Sequence, residues 1–170
     1  MTTSANKDIG LLPKSSGTYA LISYLAGGRL IQVGKLGTFE FPAGYYLYTG
    51  SAFGPGGLAG RLGRHLAASA SAKSLHWHID YLRQWASIVA VWFQVHSIPR
   101  EHDWATQAEL MAGGRYPAPR FGASDCRCPS HLFYFAQPPT AERFSSSLNR
   151  TFPTDPPLKM LQFDKENRPA

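Results

Sequence analysis

Apolar residues in the first third of the chain follow short strand-like runs separated by turn residues. Residues 18–25 are rich in strand-forming side chains, and Ala26-Gly27-Gly28 supplies a turn before residues 30–33 continue extended, which predicts a hairpin. Glycines and a proline then break the path over residues 34–44. Residues 45–49 predict a third strand that ends at a glycine.

The next apolar residues recur at helical spacing. Leu58, Leu62 and Leu66 lie four apart, so the pattern predicts an amphipathic helix from Leu58 to about Ser71. Further on, the sequence predicts a short helix in HWHIDYLRQWA, a buried strand in ASIVAVWFQV, a helix capped by Asp103 that ends at Gly113-Gly114, and a final strand in HLFYF. This order favours an α+β fold with a small mixed or antiparallel sheet flanked by helices.

The two ends of the chain differ in composition from its middle. Residues 1–16 are polar and patternless, which predicts a flexible segment before a domain at 17–135. Residues 136–170 hold six of the thirteen prolines and a serine run. Such a composition resists a packed core, so we expect a disordered or loosely docked tail there.

Composition and charge narrow the class of protein. The longest apolar stretch, residues 86–93, is far shorter than the roughly 20 residues that cross a bilayer. The absence of a signal-peptide core near the N-terminus and the presence of only two cysteines favour a cytoplasmic protein. Lys and Arg outnumber Asp and Glu by 17 to 11, and the net charge of +6 favours a polyanionic partner.

The basic residues are most concentrated on and after the Leu58 helix. A turn of about 100° per residue places Arg61 and His65 together beside the leucine stripe, with Arg64 nearly opposite it. An arginine beside the stripe can be held against the sheet as a bidentate phosphate ligand. The alternative is that this helix presents an ordinary solvated face.

Three motifs in order add to this picture: GTY at 17–19, YTGSA at 48–52 and RLGRH at 61–65, followed by Glu109 on a later helix. In this combination the chain resembles the GIY-YIG nuclease superfamily. GTYAL, VGKLG, HWHIDYL and FGASDCRCPSHLFYF extend the resemblance to an uncharacterised subgroup over almost the whole domain. The resemblance implies a divalent-metal-dependent endonuclease acting on nucleic acid, DNA in preference to RNA, in repair, recombination or mobile-element processing.

The resemblance also implies a role for each matching residue. Tyr19 corresponds to the general base, Tyr48 to a tyrosine that orients water or phosphate, and Arg61 to the phosphate-stabilising arginine. His65 corresponds to a neighbouring proton relay, and Glu109 to the carboxylate that holds Mg²⁺ or Mn²⁺.

Other residues are candidates for contacts around this centre. His76 or His78 matches an additional site histidine, and the residues between them leave the choice open. A glycine-rich turn before the Leu58 helix can present backbone N–H groups to a phosphate. The candidate nucleic-acid contacts are Arg64, Lys73, Arg83, Ser51, Gly56 and Gly57.

Cysteine and histidine in DCRCPSH suggest a second kind of site. Cys126, Cys128 and His131 could supply three of four zinc ligands, with His76 or His78 as the fourth. The alternative, which the unusual spacing favours, is a pair of small buried cysteines in a strand-entry loop.

One departure from the compact members of the superfamily concerns residues 34–44, an insertion between the two tyrosine motifs. If the insertion pushes Tyr19 and Tyr48 apart, the protein would keep the fold but have no catalytic activity. A non-catalytic nucleic-acid-binding module and a protein-interaction scaffold that uses the C-terminal tail are therefore the competing hypotheses.

Overall fold

A computed structural model describes residues 10–67 and 75–164 of the chain. These residues form an α+β fold, as the sequence predicts. The strands are β1 (Gly17–Leu25), β2 (Arg29–Val33), β3 (Gly37–Phe41), β4 (Gly44–Ala52), β5 (Ser87–Val95), β6 (Leu132–Phe135) and β7 (Lys159–Gln162). The helices are α1 (Gly57–Leu66), α2 (His78–Arg83), α3 (Glu101–Met111) and α4 (Ala141–Thr151).

Five of the strands form one antiparallel sheet in the order β6-β4-β1-β5-β7. Strand β1 is central, and its register with β4 sets Tyr19 opposite Gly50 and Leu21 opposite Tyr48. Because side chains alternate between the faces of a sheet, Tyr19 and Tyr48 lie on the same face.

Both faces of the sheet are covered, which explains why β1 is buried along almost its whole length. The face that carries Tyr19 packs against α1, α2 and the β2–β3 ribbon, with Leu58, Leu62, Ile79 and Leu82 in the core. The opposite face packs against α3 and α4. The sheet therefore holds the two tyrosines under helix α1, which carries the predicted arginine.

The predicted pairing of the first two strands is wrong. Strand β1 pairs with β4 and β5, whereas β2 pairs with β3 in a separate two-stranded ribbon. Turn residues show where the chain reverses but do not choose a strand's partner. The ladder between β1 and β4 runs unbroken from Gly17 to Leu25, so the inserted segment does not separate the tyrosine motifs.

Residues 136–164 are not a loosely docked tail, which corrects the expectation from their proline content. Phe144 and Leu148 of α4 are buried in the core with Trp92 and Trp104. Strand β7 pairs with β5 at the edge of the sheet. The described prolines of this segment lie between elements and do not prevent its burial: Pro138, Pro139, Pro153, Pro156 and Pro157.

The described part of the N-terminal segment, residues 10–16, is also part of the domain. Leu12 is buried, and the carbonyls of Pro13 and Ser15 accept hydrogen bonds from the backbone N–H groups of Ala59 and Leu58. The prediction of a flexible segment is therefore wrong for residues 10–16, and residues 1–9 lie outside the described residues.

Candidate functional site

A polar pocket of about 330 Å³ opens beside the end of the β1–β4 ladder. It brings together Tyr19, Tyr48 and Arg61, three of the residues that the sequence singled out. The insertion between the motifs leaves these side chains in one place. The other lining residues are Gly50, Ser51, His76, Trp77, His78, Glu101, Gly122, Ser124 and Asp125.

Tyr19 and His65 form a buried hydrogen-bonded pair at the base of this pocket. The Tyr19 hydroxyl lies 2.8 Å from His65 Nε2, and each residue is 1% exposed. The ring of Tyr19 lies across Gly50, where a Cβ would come within 2.4 Å of it. The Nδ1 atom of His65 has no hydrogen-bond partner among the described residues.

Burial keeps this pair uncharged near neutral pH. Desolvation raises the pKa of Tyr19 well above 10, and the nearby Tyr48 hydroxyl adds to the rise, so the opposing effect of the Arg61 guanidinium is outweighed. Burial also lowers the pKa of His65 to about 3, with Arg83, Arg61 and Arg64 contributing. A free Tyr19 phenolate is therefore strongly disfavoured in the resting protein.

Arg61 extends from α1 into the pocket, and both Arg61 and Arg64 of this helix contact the Trp77 ring. The Arg61 guanidinium lies 4.4 Å from the centre of the Trp77 ring, and that of Arg64 lies 3.7 Å from it. Arg64 also lies 3.7 Å from the buried carboxylate of Asp80. Trp77 thus orients two guanidinium groups at the edge of the pocket.

A tight turn before α2 presents both candidate histidines to the pocket. The Asp80 carboxylate accepts hydrogen bonds of 2.9 Å from the backbone N–H groups of His76 and Trp77. His78 Nδ1 accepts a 2.8 Å hydrogen bond from the backbone N–H of Gly122, which leaves Nε2 as its other ring nitrogen. His76 is exposed, so His78 is the more rigidly held of the two.

Of the two carboxylates that line the pocket, the less exposed belongs to Glu101, so the prediction of Glu109 at this place is corrected. Glu101 accepts hydrogen bonds from Ser51 Oγ at 2.9 Å and from His131 Nδ1 at 3.0 Å. Burial opposes its ionisation, but these contacts outweigh burial and lower the pKa of Glu101. Glu109 does not line the pocket, because it lies eight residues, or about 12 Å of helical rise, further along α3.

The start of this helix also differs from its prediction. Asp103 looks like an N-cap, but α3 begins at Glu101 after Arg100. Arg100 is held there by a bidentate contact with Asp155, at 3.0 and 3.1 Å. That contact comes from a distant part of the chain, so the local pattern could not indicate it.

The remaining predicted nucleic-acid contacts divide into three groups. Ser51 lines the pocket. Gly56 and Gly57 do not line it, and the N–H of Gly57 donates to the carbonyl of Gly54. Arg83 lies outside the pocket and donates to the carbonyl of Ala67 at 3.1 Å, and Lys73 lies outside the described residues.

A cluster of cysteine and histidine side chains lies next to the pocket and could hold a metal ion. The ligand atoms of His102, Cys126, Cys128 and His131 all lie within 4.8 Å of one another. The fourth member is His102, not His76 or His78 as the sequence suggested. His102 could have been found only from the position of α3, since 23 residues lie between it and Cys126.

Backbone hydrogen bonds shape the loop that carries the cysteines. The Arg120 guanidinium donates to the carbonyls of Cys128, at 2.7 Å, and of Cys126. Arg120 itself has a left-handed backbone conformation with a φ of 66°. This irregular segment therefore supplies Gly122, Ser124 and Asp125 to the pocket and the two thiols to the neighbouring cluster.

The pocket offers oxygen ligands for a magnesium-type ion. Glu101 has four acceptor positions on its carboxylate, and Ser51 and His131 use two of them. Asp125 supplies a second, exposed carboxylate at the pocket wall. Because Mg²⁺ keeps several waters and binds through one or two carboxylates plus phosphate oxygens, these residues fit such an ion.

Within residues 10–67 and 75–164, no helix has the length and apolar character that crossing a membrane would require.

Comparison of the chain with curated proteins and with solved structures gives no match. A family model matches residues 18–153, which extends past the predicted domain end and includes α4. The chain thus belongs to the family described as domain of unknown function DUF123.

Proposed function

We propose that this protein is a divalent-metal-dependent endonuclease that hydrolyses phosphodiester bonds, in DNA in preference to RNA. The observation that carries the proposal is that one pocket holds Tyr19, Tyr48, Arg61 and Glu101 beside the Tyr19–His65 pair. The resemblance of the GTY, YTGSA and RLGRH motifs to the GIY-YIG nucleases supports the same reaction. The two free thiols of Cys126 and Cys128 support a cytoplasmic location.

The charges around the pocket suit a phosphate group flanked by a metal ion. Arg61 can donate to two phosphate oxygens, and Arg64 can contact a neighbouring phosphate from its exposed position beside Trp77. Glu101 and Asp125 lie on the pocket wall as ligands for a cation. A bound Mg²⁺ or Mn²⁺ would neutralise charge on the phosphate and acidify a bound water.

The Tyr19–His65 pair can move a proton without forming a free phenolate. Tyr19 donates its hydroxyl proton to His65 Nε2 while its oxygen accepts a proton from the attacking water. This requires the His65 tautomer that carries its proton on Nδ1. Burial opposes the protonation of His65 most strongly and the nearby arginines add to this effect, so the entry of a phosphate anion would offset only the part due to the arginines. Tyr48 would hold the water or a phosphate oxygen.

The proposal is tested by incubating the protein with single-stranded, duplex, flap and junction DNA, with Mg²⁺ or Mn²⁺ and with an RNA control. We expect cleavage that stops when the metal is chelated and that is lost in Glu101→Gln. Glu109→Gln is the matched control, because it changes the same side chain on the same helix outside the pocket. Cleavage that survives Glu101→Gln would disprove this assignment of the site.

A specific observation favours the non-catalytic nucleic-acid-binding module as a second candidate. Tyr19 is almost fully buried and held in its neutral form, so its hydroxyl is a poor base until a substrate or metal changes its surroundings. Salt-dependent binding without cleavage of any of the substrates would favour that candidate. The scaffold hypothesis relied on a free C-terminal tail, and two elements of that segment, α4 and β7, are packed into the domain.

A further inference from the structure

The cysteine–histidine cluster lies outside the pocket of the proposed nuclease, and the nuclease reaction does not use it. It joins the first turn of α3, through His102, to the loop that ends at His131. No regular secondary structure occurs between the end of α3 and β6 in this part of the chain. Loops of this length inside a compact domain are uncommon unless something functional or structural holds them.

The chemistry of the four ligand atoms selects one class of metal ion. Two thiolates and two imidazoles are the ligands of tetrahedral structural zinc, whereas Mg²⁺ and Mn²⁺ prefer oxygen. A zinc centre with bonds of about 2.0–2.3 Å has ligand atoms about 3.3–3.8 Å apart. Cys126 Sγ and His131 Nε2 are already 3.3 Å apart, and all four atoms lie within 4.8 Å.

The two nitrogens of His131 face two different sites. Nε2 points to Cys126, while Nδ1 lies 3.0 Å from Glu101 Oε1 and 3.4 Å from the carbonyl oxygen of Thr49. Histidines that bind metal commonly donate their other N–H to a carboxylate or a backbone carbonyl, which fixes the tautomer and the ring. His131 has both partners in place at 1% exposure.

From these contacts we infer that His102, Cys126, Cys128 and His131 bind a structural Zn²⁺ ion. Through His131, the bound ion also holds the Glu101 carboxylate in position. Binding displaces the two thiol protons, so the two thiolates balance the charge of the ion. The ion anchors the loop to α3. It also fixes the His131 ring, whose Nδ1 atom contacts the Glu101 carboxylate in the pocket. Zinc binding itself does not depend on the proposed nuclease activity, although the coupling concerns its pocket.

The test measures metal directly in the full chain. The protein, purified with its thiols reduced and supplied with zinc, should contain about one ion per chain, and Co²⁺ substituted for zinc should give a tetrahedral spectrum with thiolate charge-transfer bands. Cys128→Ser and His102→Ala should lose the stoichiometric ion. His76→Ala is the matched control and should keep it, because His76 faces the pocket and not the cluster.

If Cys128→Ser does not fold, the cobalt spectrum of the unaltered chain and the exposed His102→Ala variant still decide the question. A reduced, zinc-supplied chain without stoichiometric metal would overturn the inference, as would a cobalt spectrum that lacks thiolate bands.

The coupling to Glu101 has its own readout, which is the zinc affinity measured against a chromophoric chelator. Glu101→Gln should weaken zinc binding by about 10–100-fold, the usual effect of altering a carboxylate that holds a metal-binding histidine. Glu109→Gln should leave the affinity unchanged. An unchanged affinity in Glu101→Gln would overturn the coupling. Because no nuclease assay enters, a failure here is distinct from a failure of the proposed function.

Discussion

Gly50 lies directly opposite Tyr19 in the β1–β4 ladder, and the space left by its missing side chain is occupied by the Tyr19 ring. A Cβ at Gly50 would lie 2.4 Å from both Cζ and the hydroxyl oxygen of Tyr19. Packing between Tyr19 and Gly50 therefore links the GTY motif to the YTGSA motif, in addition to any reaction in which both motifs take part.

Gly50→Ala is expected to destabilise the protein because the Tyr19 ring must move into a packed core. The expected loss is about 1–3 kcal/mol in the free energy of unfolding, measured in urea. Gly63→Ala is the control, since nothing lies within 4 Å of its Cβ position in α1 and alanine favours a helix by about 0.5–1 kcal/mol. Equal stability of Gly50→Ala and the unaltered protein would show that the ring adjusts freely.

Tyr19→Phe removes the hydroxyl that bonds to His65 and should lower the rate of DNA cleavage by about 10²–10⁴-fold, the range for a lost acid–base group. Tyr46→Phe is the matched control. Tyr46 is also a buried sheet tyrosine with a bonded hydroxyl, which donates to the carbonyl of Pro42 outside the pocket. It should lose comparable stability and keep its cleavage rate. Equal rates in the two variants would argue against a chemical role for Tyr19.

The guanidinium groups of Arg61 and Arg64 both contact Trp77, but the two residues should have different roles with DNA. Arg61→Ala is expected to lower the turnover rate by about 10²–10³-fold, because Arg61 lines the pocket where charge develops. Arg64→Ala should instead weaken DNA binding and reduce its salt dependence by about one charge. Single-turnover rates and binding at several salt concentrations separate the two effects. Similar losses in both variants would contradict this division.

His65 should make the protein less stable in acid. Its pKa is about 3 in the folded protein and 6.5 when unperturbed. Above pH 6.5 both states carry a neutral ring, and below it the unfolded chain binds a proton that the folded protein does not. Stability therefore falls between pH 6.5 and about pH 3, by up to about 1.4 kcal/mol per pH unit from this group.

The test compares unfolding in urea at pH 7, 6, 5 and 4 for the unaltered protein and for His65→Gln. His78 and His96 also have lowered pKa values and are present in both proteins, so the difference in slope isolates His65. A variant with the same pH dependence as the unaltered protein would show that His65 does not stay neutral when buried.

Phe144 should be as important for stability as a residue of the central sheet. Its ring is fully buried against Trp92 and Trp104, so Phe144→Ala is expected to cost about 3–5 kcal/mol. Phe53→Ala, at a site that is 39% exposed, should change stability by no more than about 0.5 kcal/mol. Thermal or urea unfolding measures both. A small effect at Phe144 would restore the idea of a loosely docked C-terminal segment.

Local patterns predicted most elements between residues 17 and 135, but they missed β3, α4 and β7 and predicted the long-range contacts poorly. The leucine spacing located helix α1 and placed Arg61 and His65 beside its buried stripe, because helical periodicity is a local property. The partner of β1, the burial of Phe144 and the choice of Glu101 over Glu109 depend on residues far apart in the sequence. His102 completes the cysteine–histidine cluster for the same reason, since only the packing of α3 brings it to Cys126 and Cys128.

The position of β7 in the sequence affects how the protein folds during translation. It pairs with β5, which comes from the middle of the sequence, and it is formed by residues 159–162. During translation the free edge of β5 is therefore open until those residues have left the ribosome. Because an open edge can recruit another chain, the interval before β7 is added is when the nascent protein most needs protection from aggregation.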